Sequence, residues 1–555
     1  MTEITPRPSE QLEPVHEMEF KDFNRSEGSD HVLGATSAEH ESKQSYILGS
    51  RLYIITIAIS ICMFIVNLEI PIVTTALVSI GDGLGGFDKT SWVISAYLLG
   101  YVGVLIIASK LSDIVGRKPT IIFTILTFTI FSGACGASQS VVQLIVFRAF
   151  QGVGGAGTYA LCTVILVELV PSEKYAKYTA SISVIFSISL LIGPILGGAF
   201  SQSATWRWIF LINVPIAFAA ALVLFFLLPK GFPNHGTNRR GSMPSKSMSR
   251  LDYPGTALLL LSTLSLVAAF EEAGLLFPWK SAYVIVLLIA SIIGWVVFLI
   301  WERRVTLAAG IREPIFPWRF VQDRVWVGMI LCALFLGAPF FTTNFQLPQR
   351  FQIVNGLSPL QAGIRVIPFT LASPFGSVVA PVICKIFKVP PIYLVFCAAI
   401  IQVIGFALLS SVPPSRTIVA AQYGYEIIAG FGCGINITLL LLMTPFSVQE
   451  RDKAVALGAI SQFRIMGGAI GLSIATSAFN SLVRHELQLF LSPGQLNALL
   501  ASPAELNPII APALQEPVRV AFADGYSLQM KILTGLAAGQ IPASLLLWQS
   551  KQIMV

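Results

Sequence analysis

Charged side chains are scarce in this chain of 555 residues. Asp, Glu, Lys and Arg together supply 12% of its residues, and hydrophobic residues supply 54%. About 25% of the residues of an ordinary water-soluble domain are charged. The sequence also contains many apolar runs of roughly 20 residues, the length with which a helix crosses a bilayer. The composition therefore excludes an ordinary soluble enzyme and predicts an all-α polytopic membrane protein.

Cysteine and histidine are rare and poorly placed for chemistry. The seven cysteines lie in apolar runs and form no C-x-x-C pair, so we predict packing roles for them and neither a disulfide framework nor a zinc site. The five histidines lie in predicted tails or loops: His16, His31, His40, His235 and His485. A proton relay inside the membrane would then depend on carboxylates. We predict no metal and no other cofactor.

Two further absences narrow the function. The sequence has no G-x-x-x-x-G-K-[ST] loop, which argues against an ATP-driven pump. It has no cluster of catalytic side chains, so we do not predict an enzyme. The net charge is +7, but the Lys and Arg residues lie in loops between apolar runs rather than on a soluble module, so we predict no binding of nucleic acid.

Charge and hydropathy divide the chain into six segments. We predict a disordered cytoplasmic tail, a six-helix bundle, a cytoplasmic linker, two further helices, a second linker and a second six-helix bundle, at residues 1–50, 51–229, 230–252, 253–302, 303–324 and 325–555. The second bundle has a long outer loop at 484–526 and a weak last span at 532–548. Twelve or thirteen spans are therefore alternatives to fourteen. Weak repetition between two bundles is typical of transporters built from paired halves.

Several ionisable or polar residues fall inside predicted spans, where a charge costs about 2.5 to 3.5 kcal/mol on insertion scales. Glu69 and Glu426 are the deepest carboxylates, and either could carry a proton. Alternatively, Glu69 lies near the outer mouth and has no role. Arg148 requires an anionic or carbonyl partner in the middle of its span. Gln151 follows it, and Arg464 is a further intramembrane cation.

A short basic segment, Lys110-Leu-Ser-Asp-Ile-Val-Gly-Arg-Lys118, separates two apolar runs. We predict a tight hairpin there, on the cytoplasmic side because Lys and Arg concentrate in inner loops. The segment resembles the G-x-L-a-D-x-x-G-R-K loop of the major facilitator superfamily, with Ser109 in place of the first glycine. The resemblance makes this a gating loop formed by Asp113, Gly116, Arg117 and Lys118.

Three further segments resemble drug:proton antiporters of that family with fourteen helices. Arg148 and Gln151 match the fourth-helix pattern R-x-x-Q-G-x-G, in which the arginine is linked to proton transfer. Ser189 to Gly198 is similar to the fifth-helix pattern G-x-x-x-G-P-x-x-G-G, a signature of exporters, and residues 206–215 resemble W-R-W-I-F-x-I-N-x-P. The fifth-helix match implies close helix packing and a bend at four positions: Gly193, Pro194, Gly197 and Gly198.

The resemblance implies two six-helix halves with two inserted helices outside the transport core. It looks most like the toxin and multidrug efflux pumps of filamentous fungi. It implies a monomeric proton-coupled antiporter in the plasma membrane whose partners are protons, the lipid bilayer and a hydrophobic small molecule. A ferric siderophore transporter and a vacuolar carrier of basic amino acids are the alternatives. Only Glu69 and Glu426 lie deep within predicted spans, whereas Glu271 and Glu272 are predicted near an outer helix end. So few deep acids favour neutral or weakly charged apolar cargo.

Overall fold

The computed structural model describes residues 46–84, 91–203, 205–233, 248–273, 277–308, 310–492, 494–496, 499 and 511–554. Nearly all of the predicted tail 1–50 and most of the linker 230–252 lie outside these residues. Helices form along the apolar runs because a backbone in lipid must satisfy its hydrogen bonds within its own segment. Thirteen helical segments of the described chain are long and apolar enough to cross a membrane.

The helices are numbered in chain order. The first half contains α1 Ser50–Thr74, α2 Leu77–Leu84, α3 Ser91–Val115, α4 Arg117–Ala137, α5 Val141–Glu168, α6 Tyr175–Ser203, α7 Trp208–Leu211 and α8 Asn213–Leu227. The inserted pair is α9 Tyr253–Glu272 and α10 Ala282–Ala308. The second half contains α11 Arg319–Gln322, α12 Arg324–Ile353, α13 Pro359–Arg365, α14 Ile367–Phe387, α15 Pro391–Ser410, α16 Ala421–Ser447, α17 Lys453–Leu487, α18 Pro512–Ala538 and α19 Gln540–Leu545.

Contacts at helix ends show which ends lie on the same side. The Arg51 guanidinium donates to the Leu227 carbonyl at 2.8 Å, and the Lys118 ammonium donates to the Leu228 carbonyl at 2.7 Å. The start of α1, the turn between α3 and α4, and the end of α8 therefore share one side of the molecule. We call this the hairpin side. Gly116 forms the turn with a φ of 111°, a conformation that favours glycine.

The last crossing differs from its predicted position. Arg519, in the first half of α18, donates to the Pro414 carbonyl on the side opposite the hairpin, whereas Trp548 packs edge-on against Tyr393 at the start of α15. Together α18 and α19 thus cross the bundle, beginning at Pro512 rather than at Ile532. Residues 512–526, predicted as outer loop, are helical. Hydropathy did not predict this helix, because it scores Arg519 as a residue exposed to water, whereas in the structure the side chain of Arg519 is buried against protein partners.

Two smaller expectations also need correction. The first apolar run predicts a continuous span from about Leu52 to Ile80, but α1 ends at Thr74 and the separate helix α2 follows. His485 was predicted in a loop, but it lies in the last turn of α17, where its side chain is exposed. Because it is at the solvent-facing end of that helix, it does not supply a histidine to the interior.

The two halves repeat the same packing. In the first half α3 packs against α5, α1 against α6, and α4 against α8. The corresponding pairs in the second half are α14 with α16, α12 with α17, and α15 with α18. The halves meet along two seams, α3 with α17 and α6 with α14. This arrangement confirms the predicted all-α fold of two six-helix halves.

The inserted pair lies along one of these seams. Helix α9 packs against α10, and it also contacts both α3 of the first half and α17 of the second. The two inserted helices are held closely, because Ser291 donates to the Ser262 carbonyl at 2.9 Å. Much of α10 is an exposed apolar surface suited to lipid. Helix α9 thus contacts both six-helix halves at the α3–α17 seam.

Candidate functional site

Glycines of α5 create the space in which Arg148 is buried. A Cβ atom at Gly152 would overlap the Tyr97 carbonyl of α3, and one at Gly154 would overlap the backbone of Phe128 in α4. Small residues at these positions let the three helices approach closely. As a result, Arg148 lies in the interior of the first half with no exposed side-chain surface. An arginine reaching out to the lipid headgroups is excluded.

A buried ion pair is the centre of this site. One guanidinium nitrogen of Arg148 lies 2.6 Å from a carboxylate oxygen of Glu69, and neither side chain is exposed. The arginine also donates to the Val93 carbonyl at 3.1 Å. Arg148 thus has both the anionic and the carbonyl partner that its mid-span position requires. The alternative that Glu69 is a solvated residue at the outer mouth is wrong.

Neutral polar side chains complete the carboxylate's shell. The Gln151 amide donates to Glu69 at 2.8 Å and to the Ser132 hydroxyl at 2.9 Å. Asn213 also donates to Glu69. These partners come from α4, α5 and α8, while the carboxylate comes from α1. Glu69 therefore connects α1 directly to α5 and α8, and Ser132 of α4 joins the network through Gln151 and Asn213.

Aromatic rings connect this ion pair to the second half. The Arg148 guanidinium lies 4.1 Å from the centre of the Tyr97 ring. Tyr101 is the next ring, 5.7 Å from Tyr97 and 6.2 Å from Tyr159. The Tyr159 hydroxyl accepts a hydrogen bond of 2.8 Å from Arg464 of α17. Arg464 is thus placed at the contact between the halves, at the end of a continuous row of side chains.

A cavity opens between the two halves beside this row. Its wall is mostly apolar and includes residues of α1, α3, α6, α12 and α17: Asn67, Ile70, Tyr101, Phe186, Phe341 and Ile465. Helix α1 supplies part of this wall and also carries Glu69. A change in the hydrogen bonds of Glu69 can therefore alter the shape of the cavity through one helix.

Two of the four predicted packing positions on α6 contact α1. A Cβ at Gly193 would lie 2.6 Å from Pro71, and one at Gly197 would overlap the Ile72 carbonyl. Gly198 differs, because no atom lies within 4 Å of the corresponding position. Pro194 lies within a helix that continues from Tyr175 to Ser203. Gly193 and Gly197 thus bring α6 against the helix that carries Glu69.

The predicted gating loop forms a charged cluster on the hairpin side. Arg117 lies 2.6 Å from Asp113 and 2.6 Å from Glu168 of α5, and it also donates to the Ser112 hydroxyl at 2.7 Å. The cluster fixes the α3–α4 turn to the end of α5. The gating role implied by the resemblance would have Asp113 bond to backbone N–H groups or to a basic neighbour across the gap between the halves, whereas its ion-pair partner among the described residues is Arg117 of the same half.

The neighbouring lysine instead contacts the segment that follows the inserted pair. Lys110 lies 2.7 Å from Glu313, which also pairs with Arg250. Burial alone would raise the pKa of Glu313, but the hydrogen bonds and charges of Lys110 and Arg250 outweigh burial and hold this pKa below its usual value. The hairpin is therefore tied to both segments that flank the inserted helices.

Glu426 lies in a separate cluster on the side opposite the hairpin. Its carboxylate accepts a hydrogen bond of 3.3 Å from Gln422, which in turn accepts one of 3.1 Å from Arg350. Its second carboxylate oxygen is buried without a hydrogen-bond partner in the described chain. The structure therefore does not bring Glu426 together with Glu69, and Glu426 forms no ion pair with Arg350.

The second half has an uncharged network at the place that corresponds to the ion pair. Gln402, Asn436 and Gln540 lie on α15, α16 and α19, the counterparts of α4, α5 and the α7–α8 segment. The Gln540 amide donates to Gln402 at 2.9 Å and accepts from Asn436 at 2.9 Å. Both halves thus bury polar side chains among the same helices, but only the first half places a charge pair there within the described residues.

Sequence reasoning missed the neutral partners. Ser132, Asn213, Gln402, Asn436 and Gln540 looked like ordinary polar residues in apolar runs. The signal that could have found Asn213 is its place in the recognised W-R-W-I-F-x-I-N-x-P segment. For the other four residues, the signal is that an amide or hydroxyl in an apolar span is costly to bury without a hydrogen-bond partner, so a partner on another helix is expected. No three His, Cys, Asp or Glu side chains of the described chain converge as metal ligands do.

Comparison with known proteins agrees with this geometry. Residues 57–472 match the profile of the family described as "Major Facilitator Superfamily". The chain belongs to the major facilitator superfamily. The "MFS-type transporter FPY5" of Fusarium mangiferae is 40% identical over 514 residues, which cover 92% of this chain and 86% of that protein. The protein is therefore a polytopic membrane transporter of this superfamily.

Another relative and a solved structure extend the comparison. The "MFS-type efflux pump LUC4" of a Fusarium species is 30% identical over 461 residues, covering 82% of this chain and 78% of that one. A bacterial homolog of the human lysosomal transporter Spinster, in an inward-facing and unoccupied conformation, superposes with a TM-score of 0.57. It shares 15% identity and covers 91% of this chain and 100% of its own. At that identity it supports the fold alone.

Proposed function

We propose that this superfamily member is a proton-coupled antiporter that exports hydrophobic small molecules. One observation carries the proposal: Glu69, which forms a fully buried ion pair with Arg148, lies on α1, and α1 also forms part of the apolar cavity wall. The relatives named as efflux pumps support the direction of transport. The hairpin side is then cytoplasmic, as its Lys and Arg residues suggest, and the N-terminus is cytoplasmic too.

Glu69 is the proposed site of the exchanged proton. Burial disfavours a bare carboxylate, whereas Arg148 and the amide donors favour it, so the two protonation states depend on the arrangement of these helices. A proton on Glu69 removes the charge attraction that holds α1 to α5. Helix α1 can then shift, and its cavity-lining residues Asn67 and Ile70 shift with it. Substrate and proton thereby favour different arrangements of one helix.

This coupling works in both directions. If a proton on Glu69 weakens substrate binding by some factor, bound substrate must weaken proton binding by the same factor. Arg464 and the row of tyrosines provide a route by which the second half responds, since Arg464 contacts Tyr159 across the seam. Glu426 is the runner-up carboxylate. Its lack of an ion pair gives it no comparable link between helices.

The mostly apolar cavity wall favours hydrophobic cargo. A siderophore importer or a vacuolar carrier of basic amino acids would need several charged groups in the wall, and Glu271 is the one ionisable carboxylate that lines this cavity in the described chain. We therefore favour export across the plasma membrane over those alternatives. We also propose that the protein functions as a monomer.

The test uses purified protein in lipid vesicles without any nucleotide. An imposed pH gradient should drive the neutral apolar dye N-pentyl dansylamide against its concentration gradient, and a protonophore should abolish this movement. Vesicles without protein control for passive partition of the dye. If uphill movement survives the protonophore, or appears only when ATP is added, the antiporter proposal is wrong.

A further inference from the structure

The inserted helix α9 contributes a carboxylate to the cavity between the halves. Glu271, one residue before the end of α9, lies in the cavity wall together with Asn67 and Tyr101. The rest of that wall is dominated by aliphatic and aromatic side chains. We propose that Glu271 is a substrate-binding residue that selects apolar molecules carrying a protonated amine.

Both halves hold Glu271 in place. The Ser95 hydroxyl of α3 donates to one of its carboxylate oxygens at 3.1 Å. On the other side, Ser473 of α17 donates to the carbonyl of the preceding residue, Phe270. Just beyond α9, the Trp279 indole donates to the Ser477 hydroxyl of α17 at 2.5 Å. The end of α9 is therefore fixed across the seam between α3 and α17, with its carboxylate at the cavity.

No cation within the described residues neutralises this carboxylate. Ser95 is its hydrogen-bond partner in the part of the chain that the structure describes, and no Lys or Arg there forms an ion pair with it. Glu69 differs, because Arg148 and two amides already satisfy it. A half-buried carboxylate with one hydroxyl partner retains acceptor capacity that a ligand can use. An ammonium group is the ligand group that supplies both charge and N–H donors.

The adjacent residue provides a matched control. Glu272 is also buried, but it does not line the cavity. Glu271→Gln and Glu272→Gln therefore make the same chemical change one residue apart, and they separate a role in the cavity from a general effect on α9. Glu271→Gln should fold normally, because its amide oxygen can still accept a hydrogen bond from Ser95.

This inference rests on the proposed function only in taking the cavity as the substrate site. Its test is equilibrium binding, without a gradient, so failure of proton coupling would leave it unaffected. The probes are dansylcadaverine, which carries a protonated terminal amine, and N-pentyl dansylamide, which lacks that amine. Fluorescence anisotropy measures their affinity for the full chain in lipid nanodiscs, with empty nanodiscs as the blank.

The expected result is specific to one probe and one position. Glu271→Gln should weaken binding of dansylcadaverine about ten- to hundredfold, as loss of a charged hydrogen bond implies, and change binding of N-pentyl dansylamide by less than about twofold. Glu271→Asp should retain part of the amine preference, and Glu272→Gln should leave it intact. Unchanged amine binding in Glu271→Gln, equal weakening of both probes, or an equal loss in Glu272→Gln would each overturn the assignment.

Discussion

Glu69→Gln is the sharpest perturbation of the buried ion pair, because it removes one charge with little change in shape. Arg148 would remain fully buried with the Val93 carbonyl, the Gln151 side chain and the Tyr97 ring as partners. Breaking a buried pair by removing one partner typically costs about 3–5 kcal/mol, since an uncompensated charge is left in the interior. We expect the variant to lose stability on that scale.

The amide also disturbs the neutral shell. Gln151 and Asn213 both donate to the same oxygen of Glu69. A glutamine at position 69 has one acceptor oxygen and one NH₂ group, which is a donor. In either orientation of the glutamine, its NH₂ group would face another donor, either Arg148 or these two amides. A protonated Glu69 has a single O–H, which the Ser132 hydroxyl or the Gln151 carbonyl can accept. Glu69→Gln therefore destabilises the protein more than protonation of Glu69 does.

A double-mutant cycle measures this coupling. Glu69→Gln, Arg148→Gln and their combination are compared by thermal unfolding of purified protein in detergent, followed by intrinsic fluorescence. We expect each single variant to lower the melting temperature by several degrees. The double variant should recover part of that loss, because no buried charge remains unpaired. Strictly additive losses, or single variants that melt like the wild type, would refute the reasoning.

The same variants are then tested for transport. Glu69→Gln should abolish uphill movement of the dye under a pH gradient while leaving equilibrium dye binding measurable. Glu426→Gln is the matched control, because among the described residues Glu426 has a single neutral hydrogen-bond partner and no ion pair. It should retain uphill transport. If uphill transport persists in Glu69→Gln and is lost in Glu426→Gln, the proton site belongs to α16.

Two further predictions concern helix packing and the hairpin. Gly197→Leu should raise the passive proton permeability of reconstituted vesicles or uncouple transport, because the leucine side chain would displace α1 at Ile72. The control is Gly198→Leu, whose side chain would point into open space and should have neither effect. Equal effects of the two variants would show that the contact with α1 has no role. Asp113→Asn should slow transport without loss of folding, since Arg117 keeps its ion pair with Glu168. If this variant is expressed at the wild-type level and transports at the wild-type rate, a gating role of Asp113 is excluded.

The sequence was sufficient for most of the fold because lipid imposes long apolar helices, and hydropathy detects them directly. It located Glu69 and Arg148 for the same reason: a mid-span charge stands out against an apolar background. It failed at α18, where Arg519 and Lys531 reduce the apolar signal although the helix crosses the bundle. Hydropathy cannot recognise a charge that is satisfied by a partner distant in sequence, such as the Pro414 carbonyl.

The site was predicted less completely than the fold. The pairing of Glu69 with Arg148 was open to prediction from burial costs, but the amides around them were not, because their partners lie on other helices. Glu271 lies near a helix end as predicted, but its place at the cavity was not predicted, for a related reason. A residue near a helix end is expected at the water interface, yet α9 is held along the seam, so that end faces the cavity.

The charge pair in the first half has an uncharged counterpart, Gln402, Asn436 and Gln540, in the second. The described residues of the second half thus hold no charge pair at this place, and in the proposed mechanism, in which Glu69 carries the proton, a cycle returns one proton. At about 2.3 kcal/mol per 100 mV, one proton moving through about 150 mV supplies about 3.5 kcal/mol. For a neutral cargo this sustains an outward concentration ratio of roughly 300-fold, at one tenfold step per 1.4 kcal/mol. In the proposed mechanism, an uncharged network in place of a second ion pair thus limits the concentration ratio that the transporter can maintain.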